Sequence, residues 1–264
     1  GHSDISVTTL IQPPYLRKLR ESGVEIVEDV SDRIWSLLGQ SVHTVLERAY
    51  PEGSTDAIVE QRMYAHVNGW VVSGQMDVIE GGVLNDFKVT SVWSAKGKKE
   101  WEEQLNIYAW LVEKVKKTPV TALKIVAIIR DWNRRDSNTR AGYPAAPVAI
   151  IDIPLWSFER REEYVRERIH AHSEALFAVE TGADIPPCTP EECWEKPTLY
   201  AVKKEGAVRA KIVCASKDEA EDELQKAGKG YFIETRPGER TRCANYCQVS
   251  QWCKQYQSYL TEEK

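Results

Sequence analysis

The chain has 264 residues, 42% of them hydrophobic, enough apolar material for one large α/β domain or for a core with a small appended module. A formal net charge of -5 excludes a globally basic nucleic-acid binder, so any contact with a polyanion must come from a local basic surface. No apolar run approaches the ~20 residues that span a bilayer, and Gly1-His2-Ser3-Asp4 lacks the basic-then-apolar pattern of a secretory signal, so a soluble, cytoplasmic protein is expected.

Gly1-His2 reads as a tag remnant and is set aside. Residues 32 to 50 carry Ile34, Leu37, Leu38, Val42, Val45, Leu46 and Ala49 at helical spacing, opened by Ser31-Asp32 and stopped by Pro51: an amphipathic helix that carries His43. Three strand-like runs follow, Ala57 to Val67, Trp70 to Ile79 and Val83 to Thr90. They are broken at Asn68-Gly69, a strong hairpin signal, and at Glu80-Gly81-Gly82, so a three-strand antiparallel meander is predicted. Residues 98 to 116 show helical spacing of Trp101, Leu105, Tyr108, Leu111, Val112 and Val115. Leu123 to Ile129 and Val148 to Ile153 read as buried strands, with Asn133 to Pro147 as a loop between them. A long charged helix is expected from about Ser157 to Glu180, closed by Thr181-Gly182.

Past Pro186-Pro187 the character changes. Leu199 to Val202, Val208 to Val213 and Tyr231 to Thr235 look like short strands, and Ser216-Lys217-Asp218-Glu219 is a capping box opening a helix to about Ala227. Six cysteines sit at 188, 193, 214, 243, 247 and 253, with none in the first 187 residues. In an intracellular chain such clustering argues for metal rather than disulfides. Cys214, inside the apolar run Ala210 to Cys214, suits an ordinary buried thiol; Cys243, Cys247 and Cys253 do not. Three thiolates within Cys243-Ala-Asn-Tyr-Cys247-Gln-Val-Ser-Gln-Trp-Cys253 need a fourth ligand, and soft sulfur selects iron–sulfur or zinc over Mg²⁺.

The chemistry-bearing residues lie in the meander. Hydrolysis of a phosphodiester needs a divalent cation held by hard oxygen ligands, and Asp77 and Asp86 are carboxylates on adjacent strands. Lys88 projects from the same face as Asp86, because side chains alternate with period two, and can orient the attacking water. Each piece alone is weak; a lone acid-x-lysine is usually a solvated strand edge. The company is what counts. His43 offers an imidazole that can join carboxylates around Mn²⁺ or Mg²⁺, and Gln104 and Tyr108 lie one turn apart on the next helix, able to offer an amide and a phenol to a phosphate or a base. The ordinary alternative is a core Tyr108 with an exposed Gln104. Lys96, Lys98, Lys99, Arg130, Arg134, Arg135 and Arg140 border these elements and could grip phosphates, though a charge run is more often plain surface. The tryptophans are read mainly as core, with Trp93 able to stack on a base.

The ordered set Gly39-Gln40-Ser41-Val42-His43, Gly74-x-x-Asp77, Asp86-x-Lys88 and Gln104-x-x-x-Tyr108 resembles the RecB-like nucleases of the PD-(D/E)XK superfamily, which include CRISPR-associated RecB-like exonucleases and phage-encoded relatives. The resemblance implies a restriction-endonuclease-like αβββαβ core over residues 1–187, with an N-terminal helical segment. A small α+β insert (about 197–236) and a C-terminal cysteine-cluster segment packing on the core would fill residues 188–264. It implies Mg²⁺ or Mn²⁺ bound by His43, Asp77, Asp86 and the backbone carbonyl of Phe87, assistance from Lys88, and a loosely held acidic role for Glu60. A [4Fe–4S] cluster on Cys243, Cys247, Cys253 and a fourth cysteine is implied too, with zinc as the alternative.

No cysteine precedes the His43 motif here, unlike the CRISPR-associated pattern, so the fourth ligand is Cys188, Cys193 or Cys214. Pro186-Pro187-Cys188-Thr-Pro-Glu-Glu is similar to a segment of phage relatives and favours Cys188. The implied activity is a metal-dependent DNA exonuclease on single strands or DNA ends, in recombination or repair in the host cytoplasm, with recombination or replication proteins as partners. The competing readings are a catalytically silent DNA-binding or assembly module of the same fold and a zinc-stabilised binding protein.

Overall fold

The computed structural model describes residues 2–27, 29–49 and 57–262, which form two compact units. The first comprises residues 1–12 and 27–183, and the second residues 13–26 and 184–264. The division therefore assigns 13–26, including the helix Pro14–Glu21, to the cysteine-bearing unit, where the sequence suggested an unbroken 1–187.

In the first unit, α1 (Arg33–Ala49) is followed by strands β1 (Ala57–Val59), β2 (Arg62–Val67), β3 (Trp70–Gln75), β4 (Val78–Glu80) and β5 (Val83–Thr90). Helix α2 (Lys99–Lys116), strands β6 (Ala122–Ile129) and β7 (Val148–Ile153) and helix α3 (Phe158–Thr181) complete it. Pro51, the expected stop of α1, lies outside the described residues. The order α-β-β-β-α-β of the restriction-endonuclease-like core is present, in a mixed α/β architecture.

The meander forms with a corner in it. Asn68 and Gly69 both take positive φ, 49° and 79°, the signature of a two-residue type I′ hairpin turn. From that turn the register runs Val67 opposite Trp70 to Arg62 opposite Gln75, and the same register resumes with Val59 opposite Val78. Between these stretches the ladder lets go at Glu60-Gln61 and Met76-Asp77. The first two expected strands are thereby each split in two, and the hairpin passes from a three-stranded sheet (Ile5–Ser6, β3, β2) into a five-stranded one ordered β1-β4-β5-β6-β7. Glu60 sits at φ 47°, an uncommon region for a residue with a side chain, and its amide donates to the Asp77 carbonyl at 2.8 Å. The corner, and not a uniform pleat, aims the carboxylates.

Strand β5 pairs in parallel with β6, and α2 crosses between them. Trp101, Leu105, Tyr108, Leu111 and Val112 are buried, as expected, while Val115 is exposed. Asn106, fully buried, donates to the Glu102 and Pro154 carbonyls and accepts from the Trp156 amide, so a polar side chain stitches α2 to the turn before α3 without an orphaned group. Helix α3 begins at the Ser157 cap and closes at Gly182 with φ 72°.

Two expectations need correction and one needs completing. The segment 133–147 is not wholly loop: Arg134–Thr139 is a short helix, capped by the Asn133 side chain accepting from the Asp136 amide. The apolar stripe of α1 forms but is poorly buried, with Ile34, Leu37, Leu38 and Val45 exposed. Nor are the tryptophans mainly core, since Trp35, Trp93 and Trp194 are exposed while Trp101 and Trp110 are buried.

The second unit contains β8 (Leu199–Lys204), β9 (Ile212–Cys214), α4 (Lys217–Ala227) and β10 (Tyr231–Arg236). The strands form one antiparallel sheet, β9-β8-β10, and Ser216 caps α4 by accepting from the Glu219 amide. Cys214 packs in its core with Val202 and Ala220, as expected of an ordinary thiol.

Candidate active site and cysteine cavity

At the hairpin corner, His43 Nδ1 of α1 stands 3.3 Å from Asp77 Oδ1 and 3.8 Å from Glu60 Oε1. One ligand atom from each of His43, Glu60 and Asp77 lies within 4.8 Å of the others, close enough to share one ion. Two carboxylates and an imidazole are a hard, oxygen-rich donor set that suits Mg²⁺ or Mn²⁺. Asp77 is pinned by its second oxygen, which accepts the Phe87 amide of β5 at 2.6 Å. Glu60 is fixed by Gln75, whose amide donates to Oε2 at 2.6 Å.

Asp86 is 2% exposed and stands beside this trio without belonging to it. Its Oδ2 is enclosed and accepts no well-directed hydrogen bond among the described residues; the Lys88 ammonium stands 2.7 Å away as an ion pair. The two share a face, as the i, i+2 spacing requires. Burial pushes the Asp86 carboxyl up to about 6, a rise that the Lys88 charge limits and the Asp77 charge reinforces. His43 is held above its ordinary value by its hydrogen bond to Asp77.

Gln104 and Tyr108 are both buried on α2, and Gln104 donates to the phenol oxygen at 3.0 Å. Burial first, then the Asp86 charge, raises the Tyr108 phenol, which therefore stays protonated with its hydrogen left to donate. Gly74 explains the first position of its motif: a Cβ there would come within 2.8 Å of Tyr108, Leu111 and Val7, so only glycine lets α2 lie this close to β3.

Of the six expected catalytic residues, Asp77 and His43 meet directly, Asp86 pairs with Lys88, and Gln104 pairs with Tyr108 beside them. For Phe87, the amide is what the geometry engages. Gln75 carried no role in the sequence reading. A signal existed: counting outward from the two-residue turn at Asn68-Gly69 sets Glu60 opposite Asp77, with Gln75 two residues away on the partner strand.

Two expected results follow. A carboxyl whose folded pKa is raised contributes stability that is complete below its unfolded pKa and is lost as pH rises through the folded one. In metal-free protein Asp86 should therefore cost up to about 3 kcal/mol above pH 6. Denaturant titrations of Asp86→Asn should show its stability relative to the parent improving from pH 4 to pH 7.5. A pH-independent difference would contradict this electrostatic account. Gln75→Ala, by releasing Glu60, should weaken binding of Mn²⁺ to the site roughly tenfold in a direct metal titration. Unchanged metal affinity would remove Gln75 from the site.

In the second unit five of the six cysteines converge. Cys188, Cys243, Cys247 and Cys253 line one cavity, with Tyr15, Leu16 and Val249 among its other walls. The Gln255 side chain clamps residue 188, accepting from its amide at 2.9 Å and donating to its carbonyl at 2.8 Å. Cys193, 1% exposed, hydrogen-bonds to both Cys188 and Cys243. Its thiol is pushed down by those two bonds while theirs are pushed up. All six thiols are free.

No protein-family model matches the chain. The uncharacterized protein YqaQ of Bacillus subtilis (strain 168) is 26% identical over 87 residues, 33% of this chain and 58% of that protein, so the chain spans about 58% of the relative it matches. Among solved structures, SSO0001 is similar with a TM-score of 0.43 and 18% identity, over 69% of this chain and 83% of that one. The alkaline exonuclease LHK-Exo of Laribacter hongkongensis is similar with a TM-score of 0.40 and 10% identity, over 67% of this chain and 91% of that one.

Proposed function

We propose that this protein is a divalent-metal-dependent DNA nuclease of the RecB-like type, acting as an exonuclease on single strands or DNA ends. The observation that carries the reading is the gathering of His43, Glu60 and Asp77 at one corner, with the Asp86–Lys88 pair beside them. A bound Mg²⁺ or Mn²⁺ would polarise the phosphodiester and supply a water of lowered pKa. The chain's own part is to orient and to neutralise. His43, Glu60 and Asp77 would hold the ion, with Asp86 as a further carboxylate drawn in when the phosphate displaces Lys88 from it. Lys88 would then face the phosphate, offset charge that builds during attack and direct the water. The protonated Tyr108, aligned by Gln104, would donate to a phosphate oxygen. The Phe87 carbonyl as a ligand rests on the family resemblance alone.

Degradation of end-labelled single strands should require Mn²⁺ or Mg²⁺ and vanish in Asp77→Ala. A wild type as inert as this variant would leave the silent, DNA-binding reading. The order of fragments released from 5′ and 3′ labels tests the exonuclease mode.

For the second unit we propose a [4Fe–4S] centre on Cys188, Cys243, Cys247 and Cys253, the four thiols that share the cavity. A set of soft sulfur donors suits iron–sulfur or zinc, and the family resemblance is what favours the iron–sulfur centre. Cys193, outside the cavity wall, would hydrogen-bond to Cys188 and Cys243 sulfur. Placement in the host cytoplasm, and among recombination or replication proteins, follows from the same proposed family.

A further inference from the structure

We infer that Trp35, Arg130 and Trp93 form a stacking platform for the unpaired bases of a DNA strand, just beyond Lys88. The inference rests on the nuclease reading and names the form of its substrate. Arg130 follows β6, and its amide donates to the Thr90 carbonyl at 2.9 Å, which anchors it two residues past Lys88, about 7 Å along β5. Its guanidinium carbon lies 3.9 Å from the Trp35 ring centroid, a face-on stack at van der Waals spacing. Trp35 belongs to α1, about 12 Å along the axis from His43, and remains 50% exposed. Trp93 is 77% exposed on the short turn Val92–Lys96. That turn is tied to the same strand ends, because the Val92 amide donates to Asp131 at 2.7 Å.

Backbone amides thus anchor Arg130 and the turn that carries Trp93, and Trp35 is held by α1 and by its stack on Arg130, beside the proposed chemistry. Charge selects the occupant. Among the described residues no carboxylate stands within ion-pair distance of Arg130, Arg134, Arg135 or Lys96, although nearby Arg140 is paired with Asp136. Cations left without acids next to open rings fit a polyanion whose bases also offer π-faces. Duplex DNA spends those faces on its own stacking; an unpaired strand leaves them open. The strand would lie with a phosphate at Lys88 and its neighbouring bases on Trp35 and Trp93.

Binding without divalent metal separates this from catalysis. Anisotropy of a fluorescent 15-mer of thymidine should show Trp35→Ala and Trp93→Ala each weakening binding by about tenfold. Binding of a blunt hairpin duplex, and the slope of affinity against salt, should stay nearly constant. Trp35→Phe should restore most of the loss, and Phe177→Ala, an exposed aromatic on α3, should have no effect. Arg134→Ala and Arg135→Ala should instead lower the salt slope by about 0.7 each. Equal losses for strand and hairpin, or no loss, would overturn the platform, as would a dimer that Trp35→Ala dissociates, which would make this face a contact between copies. A strand that binds through these residues yet is never cut would sink the nuclease reading alone; a strand that is cut while both variants bind like the parent would sink the platform alone.

Discussion

Replacing Lys88 with alanine is expected to slow metal-dependent strand cleavage by about 10²–10³-fold while weakening strand binding only by the loss of one phosphate contact. The ammonium lies 2.7 Å from a buried carboxylate, a pairing that holds one charge ready for a phosphate in a site where burial strengthens its effect. A second consequence is specific to this geometry. Lys88 limits the rise of the Asp86 pKa, so in metal-free protein its removal should move that pKa further above about 6. Single-turnover rates read the first effect, and an NMR titration of the metal-free variant reads the second. A rate loss below threefold would take Lys88 out of the chemistry.

The other large effect lies in the second unit. Its sheet and helix bury a small cluster, Val202, Cys214 and Ala220, and among the described residues the segment that carries Cys243, Cys247 and Cys253 buries only Val249 and Cys253. That segment contains short helical pieces, Thr241–Asn245 and Lys254–Glu262, too small to be stable alone. Cross-linking by a metal centre should therefore supply much of its folding free energy, on the order of 10 kcal/mol for structural sites. The double variant Cys243→Ser, Cys247→Ser should lose bound iron and absorbance near ~400 nm and become sensitive to protease after residue 237. Protein that is colourless but holds one zinc per chain would replace the iron–sulfur proposal with zinc. A variant that resists protease as well as the parent would show the centre to be unnecessary for structure.

Local signals made much of this fold legible. Asn68-Gly69 fixed a hairpin and its register, the Ser216 box opened a helix, and Gly182 closed one, because each acts through its own backbone geometry. The pairing of Lys88 with Asp86 follows from strand alternation alone. What stayed hidden depends on bending and on distant packing. Nothing local announces that β1 and β2 part at Glu60, although the count from the turn places Gln75 within reach of it. The exposure of the α1 stripe is hidden for a related reason, since periodicity tells which residues share a face but not whether anything covers it.

The hairpin also works as a ruler. Its count of residues from the tip at Asn68-Gly69 to the bend is the same on both arms, and that equality is what sets Glu60 across from Asp77. One residue added to a single arm would slide the two acids past each other and rotate one to the opposite side, whereas one added to each arm would lengthen the hairpin and leave them facing. Natural variation in length should thus be confined to the tip or come in matched pairs, so that the distance from turn to bend is inherited as one unit.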